Sequence, residues 1–245
     1  MDSGYYATMT GLVARTQALD SAAANLANAQ TPCYRAEREY FRSALLGPGA
    51  ADSQLGRTVN NYGLLGGDRL SMAQGPIEST GNPLDLAIQG EGFFQIQTAH
   101  GQRYTRDGSF HRSQDGLLVT AAGEPVLSEA GKTIAVPPGQ VSVGADGVLS
   151  VAGGTVARVA VFTFPAGTNI TPEGANRYVA PDTTTPIASK AASVRQGALE
   201  SANQDVIQGS MDLIVMQRQA EMMQKALTVF HTEFNKIATE DLPRV

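Results

Sequence analysis

Apolar residues recur in alternating steps of three and four along two segments, one near each end of the chain. The first runs Tyr5, Met9, Leu12, Thr16, Leu19, Ala23, Leu26; the second runs Leu213, Met216, Ala220, Met223, Leu227, Phe230, Phe234, Ile237. A mean step of 3.5 places these side chains in one narrow seam, the pattern of a helix that meets a partner helix. The first segment predicts a helix from residue 3 to about 29. Asp2 or Ser3 can accept bonds from its first free amides, Ala22, Ala23 and Ala24 favour it, and Pro32 stops it. At ~1.5 Å per residue it is about 40 Å long. The second predicts a helix starting near Ser201, where Ser201 and Gln204 have capping-box spacing and Asp205 suits the positive end of the dipole. Its seam reaches back through Val206, Ala202 and Leu199, with Gly209 as the weak point, and Pro243 closes the chain. About 40 residues of helix would span roughly 60 Å.

The middle of the chain lacks a helical period. Residues 34–46 are amphipathic and fit a short helix or an extended arm, with Arg35, Arg38 and Arg42 on one face and Tyr34, Phe41 and Leu45 on another. Gly47-Pro48-Gly49 and Gly66-Gly67 break a stretch that reads as a connector. From residue 82 to about 188, apolar residues alternate in short runs: Leu84, Leu86, Ile88; Phe94, Ile96; 117–119, 141–143, 148–151 and 156–164. Asp107-Gly108, Asp115-Gly116 and Asp146-Gly147 separate them, and Asp-Gly suits tight hairpin turns. The predicted fold is α+β: long terminal helices forming a coiled-coil-like stalk, and a central all-β domain of antiparallel strands, closed on itself or folded as a sandwich. The predicted divisions are a helix and arm over 1–46, a Gly-rich connector over 47–81, the β domain over 82–188 and the last helix over 189–245.

Composition narrows the function. The 245 residues carry a net charge of -5 and a pI near 5.2, with no clustered basic footprint for nucleic acid or anionic lipid. One cysteine, Cys33, rules out an intrachain disulfide. The start lacks a basic and apolar leader, and no apolar run approaches the ~20 residues that cross a bilayer. The expectation is a soluble chain made in the cytoplasm, with no membrane insertion.

Candidate chemistry is thin. Gly90-x-Gly92 lacks the third glycine and the helix of a dinucleotide site. His100, His111 and His231 have no metal-ligand spacing to one another or to Cys33. Asp107 and Asp115 lack the alternating oxygen ligands of a calcium loop, and no Gly-x-Ser-x-Gly elbow is present. Glu78, Asp85 and Glu91 are the acids a glycan-cleaving site would draw on, but nothing in the sequence gathers them around a cleft. No enzyme activity, cofactor or metal is expected.

Four ordered segments resemble one family across nearly the whole chain. Ala24-Asn25-Leu26-Ala27-Asn28, with Thr31 and Tyr34, is similar to the "NNLAN…T-x-G-[FY]" signature of flagellar rod and hook proteins. Gly81-Asn82-Pro83-Leu84-Asp85-Leu86-Ala87-Ile88-Gln89-Gly90-Glu91-Gly92-Phe93-Phe94 is similar to its "N-x-LDLAI-x-G-x-GFF" segment. Tyr104-Thr105-Arg106-Asp107-Gly108-Ser109-Phe110, then 116–120 and 123–127, resemble its "YTRDGSF…G-x-LVT…G-x-PVL" hairpins. Gly197-Ala198-Leu199-Glu200-Ser201, then Leu213-Ile214 and Gln217-Arg218, resemble its C-terminal helix signature. Length and the single β domain are most similar to the basal-body rod members of the FlgF/FlgG type, and the opening Met-Asp-Ser-Gly-Tyr-Tyr to the proximal-rod kind. The chain departs from the family pattern in three places: Cys33 stands where the family usually has Gly, Ala24 replaces the first Asn of its Asn pair, and the segment Ala202-Asn203-Gln204 replaces its "SN-V".

The resemblance implies a structural subunit of the flagellar rod in the periplasm, exported through the flagellar type III channel without a cleavable signal. Its terminal helices would interleave with other rod and basal-body subunits, homo- and hetero-oligomerically, into an axial tube that transmits torque, with the β domain packed outside. The implied subunit interface is Tyr5, Met9, Leu12, Leu19, Asn25, Leu26, Asn28, Leu213, Met216, Arg218, Met223, Leu227, Phe230 and Phe234. Asn25 lies inside the helix, where it fits a register-setting bond between helices; Asn28 fits that role or a helix cap. The alternatives are a distal-rod subunit, seams that pack only on each other within one chain, a periplasmic glycan-acting enzyme, and a β-domain binding module.

Overall fold

The computed structural model describes residues 2–42, 64–165, 167–181, 184–189 and 191–236; for residues 2–8, 39–42, 64–68, 230 and 233–236 it describes the backbone alone. The described chain forms two compact units. One holds helix α1 (Asp2–Ala27), the paired strands Glu37–Arg42 and Leu64–Leu70 (the latter as far as Arg69), and helix α2 (Val206–Lys236). The other comprises Asn28–Ala36 and Leu70–Gln204 and is almost entirely β.

In the helical unit α1 packs on α2 and on the strand Glu37–Arg42. The pair is not the coiled-coil-like stalk that the seams predicted. The helices are 26 and 31 residues, about 39 and 46 Å at the standard rise. The last helix opens at Val206 rather than near Ser201. The strand Ala198–Glu200 occupies the chain just before, and the Asp205 carboxylate caps the helix by accepting from the Gln208 amide at 2.9 Å. The buried face also differs. Ala14, Ala18, Ala22 and Asn25 are buried on α1, whereas Met9 is 43% exposed and Ala23 is exposed. Small side chains spaced four apart let helix backbones approach closely; interlocking of large seam residues needs Leu or Ile in those places. The arm takes the extended alternative, and part of the predicted connector, Leu64–Leu70 and Ile77–Ser79, is strand.

The β unit centres on an open, antiparallel six-stranded sheet. Its order is Thr171–Gly174, Arg177–Val179, Gly101–Thr105, Phe93–Thr98, Val161–Thr163, Ile187–Ala188. Alternation puts neighbouring residues of Phe93–Thr98 on opposite faces. Phe94 and Ile96 join Leu86, Ile88, Phe110, Val126, Leu149 and Val161 in one core, while Phe93 joins Tyr104, Phe162, Ile170 and Tyr178 in another. Register matches this, with Phe94 opposite Val161 and Phe93 opposite Phe162. Aromatic edges fix both cores: Phe94 meets Phe110 at 5.2 Å and Tyr104 meets Phe164 at 4.8 Å between centroids. A three-stranded sheet (Val141–Val143, Val148–Val151, Gly154–Arg158) closes over the first core.

Two of the three Asp-Gly pairs form the expected turns: Gly116 and Gly147 sit at φ 78° and 79°, and their amides bond back to Ser113 and Gly144. Gly108 is glycine for another reason. A Cβ there would lie 1.7 Å from the carbonyl oxygen of Leu86.

Candidate assembly face and a buried charge cluster

Where the chain enters and leaves the β unit, three segments are joined by side chains. The Asn203 amide oxygen accepts from the Ala36 amide at 2.8 Å, and its Nδ2 donates to the carbonyls of Ser71 and Ala73 at 2.9 Å each. Beside it the Glu200 carboxylate accepts from Arg35 Nη2 at 3.3 Å, Arg106 Nε at 2.9 Å and the Gly75 amide at 3.0 Å. Arg106 Nη1 continues to the carbonyls of Gly90 and Gly92 at 2.9 and 2.7 Å. Arg35 Nη1 donates to Ser71 and Ala73 carbonyls. The three charged side chains are 4%, 1% and 2% exposed for Arg35, Arg106 and Glu200. Burial first, then the Arg106 charge, push the Arg35 guanidinium below its ordinary range. A buried ion cluster of this kind contributes little net stability, but losing one partner is costly because the remaining charge stays desolvated.

Cys33 sits in the same cluster at φ 59°, so the left-handed turn that suits glycine is kept despite the side chain. Its amide and its thiol both donate to the Glu200 carbonyl oxygen, at 2.8 and 3.3 Å. Burial, then the Asp107 and Glu200 carboxylates, push the thiol up to about 12. It is therefore a neutral thiol at physiological pH, not a nucleophile. Burial likewise pushes the Tyr178 hydroxyl upward.

Sequence reasoning missed this cluster. Arg106 and Glu200 lie within family motifs that carry no sign of a charge pair, and Arg35 shares one face of the 34–46 pattern with Arg38 and Arg42. The available signal was a charged residue embedded among apolar, turn-forming neighbours. The acids weighed for catalysis do different things. Asp85 is buried and accepts from Thr80 Oγ1 and Asn82 Nδ2 at 2.6 and 2.8 Å, while Glu78 and Glu91 are exposed. The three histidines are exposed, and the described residues contain no cluster of three or more His, Cys, Asp or Glu placed to hold a metal.

The predicted interface residues are placed as follows. Leu12, Leu19 and Leu26 on α1 are half-buried, as are Leu213, Met216, Met223 and Leu227 on α2; Met9 and Arg218 are exposed. The side chains of Tyr5, Phe230 and Phe234 lie outside the described residues, as does all of Ile237. Asn25 is buried and hydrogen-bonds the Glu37 backbone in both directions, Nδ2 to the carbonyl at 2.7 Å and Oδ1 from the amide at 2.9 Å. That ties α1 to the following strand. Asn28, just past the helix end, accepts from the Thr31 amide and hydroxyl at 2.9 and 3.3 Å.

The larger apolar feature of α2 was not predicted. Val206, Ile207, Met211, Ile214, Val215, Met222 and Val229 are all exposed, Ile207 at 73%. Most recur at steps of three, four or seven, forming a second apolar stripe away from the half-buried one. An exposed apolar stripe on a helix is a candidate interaction face. No described helix is long and apolar enough to cross a membrane.

The model of the flagellar hook protein FlgE/F/G D1 domain matches residues 87–151, within the β unit. The flagellar basal-body rod protein FlgF of Caulobacter vibrioides is 33% identical over 100% of both chains. FlgF of Escherichia coli is 33% identical over 91% of this chain and 93% of its own. The flagellar basal-body rod protein FlgG of Bacillus subtilis is 30% identical over the same shares. With a third of its residues shared along a relative's full length, and both cores and terminal helices formed from the matching segments, this chain belongs to the FlgF/FlgG family of flagellar basal-body rod proteins.

Proposed function

We propose that the chain is a structural, non-catalytic subunit of the flagellar rod that joins its neighbours through the helical unit. The observation that carries the reading is the second apolar stripe of α2, which α1 does not cover. A helix with two apolar faces needs two partners. One is α1 of the same chain; the other is supplied by the next subunit. Met9 and Val13, exposed on α1, extend the sticky surface, and the half-buried seam residues Leu213, Met216, Met223 and Leu227 become fully buried in the assembly. A heterologous contact of this kind, repeated without closing, builds a filament, and helices gripped on two sides resist the shear of a turning shaft. The FlgF-like proximal position is the better reading, supported by the full-length match to a FlgF chain. Export through the flagellar channel and a periplasmic location follow from the same reading.

The test is Ile207→Asp or Met222→Asp. Both sites are exposed, so the monomer should keep its stability within about 0.5 kcal/mol. Rod incorporation, scored by basal-body purification and swarming, should be lost. Normal swarming with either variant would refute the stripe as the interface.

A further inference from the structure

A cavity of about 280 Å³ lies within the β unit beside Arg35. Met72, Phe93, Phe164 and Ile170 give it apolar walls, and Glu91 contributes to its lining. Its volume is below the ~300–1,000 Å³ of small-molecule and cofactor pockets, and suits one or two side chains. Arg35 is the unusual member. It is 4% exposed, yet its Nε has no hydrogen-bond partner among the described residues, although Nη1 and Nη2 are engaged. Arg35 and Arg106 both pair with the Glu200 carboxylate, and the Asp107 carboxylate lies near Cys33 in the same cluster, so what is left over is the unpaired Nε donor of a buried cation. Buried donors are ordinarily paired, and a buried charge is ordinarily matched. A carbonyl or a carboxylate would accept from it; the carboxylate makes the stronger, charge-assisted bond.

We propose that this cavity is an anchor pocket for an acidic side chain with an apolar neighbour, presented by an adjacent subunit, whose carboxylate accepts from Arg35 Nε. The source of the segment rests on the rod reading; the chemistry of the pocket does not. Met72, exposed at the pocket wall, is the specificity handle.

The experiment titrates the purified, isotope-labelled full chain with acetyl-Glu-Leu-amide and, in parallel, acetyl-Gln-Leu-amide, each to about 10 mM, above the Kd expected of a two-residue anchor. The acidic peptide should shift the amides of Met72, Phe164 and Ile170 and bind at least about tenfold more tightly than the neutral one, a difference of ~1.4 kcal/mol. Met72→Glu, a surface change that should leave the fold intact, should abolish those shifts and, in cells, reduce rod assembly. Equal effects of the two peptides, shifts elsewhere, or no shifts overturn the pocket. Discrimination between the peptides with normal rod assembly by Met72→Glu overturns its assignment to a neighbouring subunit. Failure of the rod reading itself would show instead in the Ile207 and Met222 variants, which leave this pocket untouched.

Discussion

Replacing Glu200 by Gln tests whether the buried cluster is held by charge or by shape. The substitution keeps size and one acceptor oxygen. It removes the carboxylate that Arg35 and Arg106 share at 3.3 and 2.9 Å, and turns an NH2 group toward at least one of three donors, Arg35, Arg106 or the Gly75 amide. Two guanidiniums, 4% and 1% exposed, would then lose the carboxylate they share. Breaking a buried ion pair from one side costs about 3–5 kcal/mol. A domain has about 5–15 kcal/mol in total. With a urea m-value near 2 kcal/mol/M, the midpoint should fall by about 2 M. The chain has 7 Tyr and no Trp, and Tyr104 and Tyr178 are buried in this unit, so tyrosine fluorescence of the full chain reports the transition. A loss below about 1 kcal/mol would mean that the hydrogen-bonded backbone carries the junction and the charges do not.

Three further outcomes follow from the same region and its surroundings. At position 33 the usual ranking of small residues should invert: φ 59° favours Gly over Ala by about 1 kcal/mol, so Cys33→Gly should melt above Cys33→Ala. The Cys33 thiol, raised from 9.0 to about 12, keeps its proton in the folded chain where the unfolded chain loses it. Its contribution is therefore complete below pH 9 and is lost as pH rises toward 12, by up to about 1.4 kcal/mol per pH unit. Urea midpoints at alkaline pH should fall more steeply for the native chain than for Cys33→Ala. Gly108→Ala would place a methyl 1.7 Å from the Leu86 carbonyl oxygen and should cost about 3 kcal/mol, read as a lowered Tm; an unchanged Tm would mean that this strand crossing has room to relax.

The terminal helices and the β-rich middle were legible because periodicity is local. Steps of three and four at the ends, two-residue alternation at Leu86–Ile88 and Phe94–Ile96, and Asp-Gly at 115–116 and 146–147 each act within a few residues. The family likewise rests on short ordered motifs. Helix faces were less legible. Leu, Met and Ala at seam positions satisfy the same period whether the seam is buried or the adjoining alanines are, and Ala14, Ala18 and Ala22 are the ones buried. Periodicity counts hydrophobic residues and does not weigh how close two backbones can come.

The amino-acid sequence alone determined two terminal helices, an antiparallel β middle and membership of a rod family, since each follows from propensity, period or motif within one segment. Tertiary structure alone decided which stripe of α2 is left open, why Cys33 is an inert thiol, and that Arg35, Arg106 and Glu200 meet. Those three charges come from parts of the chain far apart in sequence, and their pairing depends on distances in space and on exclusion of water, neither of which is written in any local pattern.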